Sequence, residues 1–85
     1  MKPPYSKNLG WFEHKSIRLS LGLWHNLYGP TYEIGFRDLS TDDFSLIYIP
    51  SQSREKWWGV AQRMVKKGRC AATIQKVIDR LIRDS

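Results

Sequence analysis

Eighty-five residues make one small domain, because so short a chain cannot bury two hydrophobic cores. Hydrophobic residues make up 41% and aromatic residues 13%, too many for a disordered chain. Residues 1–53 carry five Lys/Arg and five Asp/Glu, whereas 54–85 carry nine against three, so the whole formal charge of +6 lies in the C-terminal third.

Residues 1–10 hold Pro3, Pro4, Ser6, Asn8 and Gly10 and read as a flexible, irregular arm, with the compact domain spanning 11–85. After Trp11 the period becomes two. Ile17, Leu19, Leu21 and Leu23 alternate with Arg18, Ser20, Gly22 and Trp24, which predicts a half-buried strand. Asn26, Gly29 and Pro30 break that pattern as a turn. Tyr32, Ile34 and Phe36 then alternate with Glu33, Gly35 and Arg37 as a second strand. Asp38 to Asp43 is a polar turn, and Phe44 to Ile49 forms a third strand. Its nearly continuous apolar run suits the central or most covered position of a small sheet.

Pro50 ends the sheet, and Ser51 or Ser53 caps the helix that follows. Trp57, Val60, Ala61, Met64 and Val65 make one amphipathic stripe. Arg63, Lys66 and Lys67 crowd its last turn, where cations favour the helix dipole, and Gly68 fits the C′ position. A second helix turns Ile74, Val77, Ile78 and Leu81 inward. The expected fold is α+β: a three-stranded antiparallel meander packed on two C-terminal helices, β-β-β-α-α. A homodimer that buries a further face is a common solution for so small a core.

Three surfaces stand out. On the first helix Lys56, Arg63 and Lys67 fall within about 40° of one another, and Lys66 and Arg69 extend that flank to the interhelical turn. Only Glu55 on this helix offers an acidic partner, so pairing along the helix does not account for the cluster. Trp57 belongs to the core, whereas Trp58 lies at the edge of the stripe. There it is either a ring that stacks on bases beside the cations or one lying flat over the sheet. The outer sheet face offers Arg18, Trp24 and Arg37 as secondary candidates, weakened by Glu33.

Catalysis finds no support. His14, His25 and Cys70 have no metal-ligand spacing, the adjacent Asp42 and Asp43 sit in a turn, and there is no phosphate loop or nucleophile elbow. The expectation is a non-enzymatic module without cofactor or metal. A single cysteine cannot form an intrachain disulfide, which fits a reducing compartment. There is neither a membrane-spanning apolar run nor a secretory h-region, so a cytoplasmic protein without a membrane partner is expected.

The segment from Phe44 to Arg83, a strand, Pro50, a helix, Gly68-Arg69 and a helix, resembles a ribbon-helix-helix DNA-binding domain. The resemblance implies a dimer whose paired strands enter the major groove. It departs at the strand itself, which is apolar on both faces where a reading strand needs polar side chains. Tyr32 to Lys67, with Arg37 on a strand and a Trp-bearing helix, is similar in order to the small single-stranded-DNA binders of the Whirly kind. That likeness implies a curved sheet and a helix that supports dimerisation.

Two functions follow as expectations. The first is nucleic-acid binding, DNA or RNA, through Lys56, Arg63, Lys66, Lys67 and Arg69, with Trp58 as the stacking ring. The alternative is an inhibitor or adaptor of the phage or mobile-element type, docking the same face on an acidic protein.

Overall fold

The structure, a computed structural model, describes residues 5–26 and 29–84, with side chains at 7–23 and 31–84. Four strands precede two helices: β1 (Tyr5–His14), β2 (Ile17–Asn26), β3 (Gly29–Asp38), β4 (Asp43–Ile49), α1 (Arg54–Lys66) and α2 (Ala71–Arg83). The strands form one antiparallel sheet in the order β1-β2-β3-β4. The class and the element order after Ile17 match the sequence reading; the sheet has four strands where three were expected.

The additional strand draws on the segment read as an arm. Its register slips between Tyr5 and Lys7 and again between Asn8 and Gly10. At the second slip the Gly10 amide donates to Asn8 Oδ1 at 3.1 Å, closing a small side-chain turn inside the strand. A bulge puts an extra residue on one strand and breaks the period of two. Leu9 and Phe12, three apart, therefore both pack against the core. Met1 to Pro4 lie outside the described residues.

The β2–β3 register pairs Leu19 with Phe36 and Leu21 with Ile34, which sets one apolar face. That face, completed by Ile47 and Ile49 of β4, lies under Trp57, Val60, Ala61 and Val65 of α1 and Ile74 and Ile78 of α2. Each large side chain buried there contributes about 1.5–3 kcal/mol, which is how 85 residues sustain a fold. Met64 and Val77 pack at the margin, while Leu81 is 40% exposed, so the last turn of α2 runs past the sheet.

Helix ends follow local chemistry unevenly. Ser53 is the N-cap of α1, but at φ 60° its side chain makes no capping bond. The C-terminus is a Schellman motif. Gly68 at φ 80° donates to the Val65 carbonyl, and Arg69 donates to that of Met64. Among the described residues no helix is long and apolar enough to cross a membrane.

One expectation needs correction. The apolar run of β4 belongs to an edge strand, not to a central or covered one. Ile47 and Ile49 are buried, but Phe44, Leu46 and Tyr48 point to the opposite face and are exposed. A strand apolar on both faces has the composition of a covered strand, and nothing among the described residues covers its second face.

Candidate functional site

The turn of α1 on the sheet decides which side chains reach water. Its stripe from Val60 to Val65 faces β1 and β2, which leaves Lys56, Arg63 and Lys66 exposed together with Glu55, and Lys67 exposed at the helix end. Lys56 Nζ lies 5.0 Å from the Trp57 ring centroid, and Lys66 Nζ lies 5.6 Å from that of Phe12 in β1. Arg63 folds its guanidinium toward Gly59, where a Cβ would meet Nη1 at 3.7 Å. Lys67, the C-cap, and Arg69, in the turn held by Gly68, are both exposed. All five cations predicted from sequence, Lys56, Arg63, Lys66, Lys67 and Arg69, are exposed.

Ion pairing separates these cations from the two arginines of the sheet. Among the described residues the ion pairs are Arg18–Glu13 at 2.6 Å and Arg37–Asp42 at 2.9 Å, both on the outer sheet face. Neither involves a cation of α1 or the following turn. Arg37 also stacks on Phe44, 4.9 Å from its centroid. The secondary candidates Arg18 and Arg37 are thus already engaged, and the Trp24 side chain lies outside the described residues.

Trp58 is half-buried. One side of its ring lies over Gly10 of β1, where a Cβ would come within 3.7–3.8 Å of three indole atoms. The ring is therefore part of the packing between α1 and β1.

Several surface features escaped the sequence reading. Lys76, Arg80 and Arg83 recur along α2 and line an open groove of ≈750 Å³ with Val77 and Ile82. Asp79, on the same helix, accepts a hydrogen bond from Gln75 at 3.1 Å. On the outer face Trp11, Phe44, Leu46 and Tyr48 are exposed around a shallow furrow floored by Gly22 and Gly35. Burial in that furrow pushes the Glu33 carboxyl above its ordinary value. The exposure of these side chains follows from the edge position of β4 and the bulged register of β1, neither of which shows in composition. Among the described residues no cluster of three or more His, Cys, Asp or Glu is placed to hold a metal.

Compared with known proteins, the chain matches no family model, no curated protein and no solved structure. Its site is read from its own residues.

Proposed function

We propose that this protein binds nucleic acid through the solvent face of α1 and the turn that follows, mainly by contacts to phosphate. The observation that carries the reading is the contrast in pairing. The arginines of the sheet have carboxylate partners, whereas Lys56, Arg63, Lys66, Lys67 and Arg69 have none within ion-pair distance among the described residues. Unpaired cations on one face raise the local potential and release counterions when phosphates replace them. Five cations on a helix flank and its turn suit a backbone, whose charges recur along a line. Trp58 is the lesser contributor, because one side of its ring is held against Gly10.

The test is a fluorescence-anisotropy titration of single- and double-stranded oligonucleotides of DNA and RNA. Arg63→Glu with Lys67→Glu lowers affinity for at least one of them, while Arg37→Gln, at an already paired site, leaves it close to the wild-type value. Equal losses from both variants, or none from either, refute the reading. An oligonucleotide affinity of zero, together with a stoichiometric protein captured from nuclease-treated lysate, transfers the face to an acidic protein.

A further inference from the structure

The two edges of the sheet are built differently. The β1 edge carries Lys7 and two register slips, devices that blunt an edge against a further strand. The β4 edge has neither: Phe44 to Ile49 contains no charged residue and no proline, and its register against β3 runs without a slip. At one point this edge is closed from within the chain. Gln75 of α2 accepts from the Tyr48 amide at 2.8 Å and donates to the Tyr48 carbonyl at 3.1 Å, the two bonds a neighbouring strand would make.

That clip also reveals the phase of the strand. Tyr48 turns its backbone groups away from β3, so Leu46 and Phe44, two and four residues earlier, do the same. The open edge is therefore the stretch Phe44–Leu46. It is bounded at one end by the Gln75 clip and at the other by Asp42, which leaves strand geometry at φ 63°.

We propose that this stretch pairs antiparallel with the same stretch of a second copy, joining two four-stranded sheets into one. The pairing sets Phe44 opposite Leu46 of the second copy, with Ser45 opposite Ser45 on the two-fold axis. Each Phe44–Leu46 pair exchanges both of its backbone hydrogen bonds, and the two serines form the closely spaced pair between them, where small side chains fit best. In this register Tyr48 falls opposite Asp42 of the second copy, so each strand turns away where the other copy's clip begins. Moving the axis to Leu46 would require Gln75 to release Tyr48. Moving it to Phe44 would ask the turn residue Asp42 to act as a strand.

A second copy thus fits this edge stop for stop, whereas a longer foreign strand would meet the clip. Space exists on the helix side as well. A groove of ≈560 Å³ lies beside the edge, lined by Ser45, Leu46, Ala71, Ala72, Gln75 and Asp79, and its two alanines leave room for a second Ser45. In the turn, Asp42 is paired with Arg37, and Asp43 accepts a hydrogen bond from the Thr41 hydroxyl. On the outer face the pairing covers Phe44 and Leu46, which are 51% and 38% exposed in the single chain. None of these residues belongs to the α1 cation face.

Sedimentation velocity across a concentration series, with residue-resolved amide exchange on the wild-type chain, tests the pairing. The expected result is a dimer in which the Phe44 and Leu46 amides gain protection as concentration rises, while the Tyr48 amide is protected throughout. Leu46→Lys, on an exposed outward position, raises the dimer dissociation constant by about tenfold or more with the circular-dichroism melt retained. A chain that stays monomeric at every concentration overturns the proposal. So does a dimer in which the Phe44 and Leu46 amides exchange freely; this exchange result decides the matter on its own if Leu46→Lys does not fold.

Discussion

Gly35, in the middle of β3, lies closely under Ser20 and Phe44 on the outer sheet face, and Gly35→Ala measures that tightness. A Cβ there would lie 2.7 Å from Ser20 Oγ and 3.0 and 3.2 Å from Cε2 and Cζ of Phe44. The only glycine with positive φ among the described residues is Gly68, so Gly35 is required for space rather than for backbone freedom. Ser20 escapes by turning one bond. Phe44 has to lift its ring, which loosens its stack with Arg37. Overpacking costs about 1–3 kcal/mol, here about 2 because two neighbouring side chains are met at once, and removing a strand glycine returns about 0.5–1 kcal/mol. The expected net loss is about 1 kcal/mol, a fall in Tm of about 4–8 °C for a domain of this size. In a Phe44→Ala background the same alanine meets only Ser20, and the substitution becomes neutral or stabilising. The double-mutant cycle, run by urea denaturation at low protein concentration, then gives a coupling of about 1–2 kcal/mol. A Gly35→Ala chain more stable than wild type, or a coupling under about 0.3 kcal/mol, refutes the packing described.

Glu33 ties stability to pH. Its carboxyl stands above its ordinary value of 4.5 because it is partly desolvated, so the folded chain holds this proton more tightly than the unfolded chain does. Its contribution is therefore fullest below that value and is lost as pH rises through the folded pKa. Glu33→Gln abolishes that decline and melts higher than wild type at neutral pH; an unchanged pH profile contradicts the burial. Asp38 works in the opposite sense. The Ser40 hydroxyl and amide hold its carboxyl below the usual range, so its contribution is lost as pH falls, and Asp38→Asn separates the two. The Cys70 thiol is held low by the Thr73 hydroxyl 3.3 Å away and then by the Thr73 amide. Alkylation by iodoacetamide thus reaches half its limiting rate at lower pH than in a free thiol, and Thr73→Val moves that midpoint up; an unmoved midpoint rejects the contact. Ile74→Ala, which empties a fully buried position in α2, costs about 2–5 kcal/mol by denaturant titration, and a loss under about 1 kcal/mol contradicts the core assignment.

Much of the fold was legible in the sequence because its signals are local. The alternation from Ile17 to Trp24 and from Tyr32 to Arg37 marked β2 and β3. The stripe from Trp57 to Val65 marked α1, and Gly68 occupies the left-handed position expected of it. Where the signal depended on neighbours, it was lost. The Asn8–Gly10 bulge broke the period of β1, so a paired strand read as an arm. The composition of Phe44–Ile49 suited a covered strand, but strand order is a property of the whole chain and put it at the edge. The α1 cations were found from helical spacing alone, since one face of a helix is a local matter. That Arg18 and Arg37 are paired, that Trp58 rests on Gly10 and that Gln75 closes the β4 edge all depend on contacts across the fold, and no spacing announces them.

The central claim is that phosphate meets an unpaired cation face, and salt tests it most directly. For a bound oligonucleotide, log K falls with log salt by about 0.7–0.9 for each phosphate neutralised, so engagement of all five cations gives a slope of about 3.5–4.5. Arg63→Glu with Lys67→Glu lowers that slope by at least about 1.4. A slope near zero, or one that the double reversal leaves unchanged, contradicts the account.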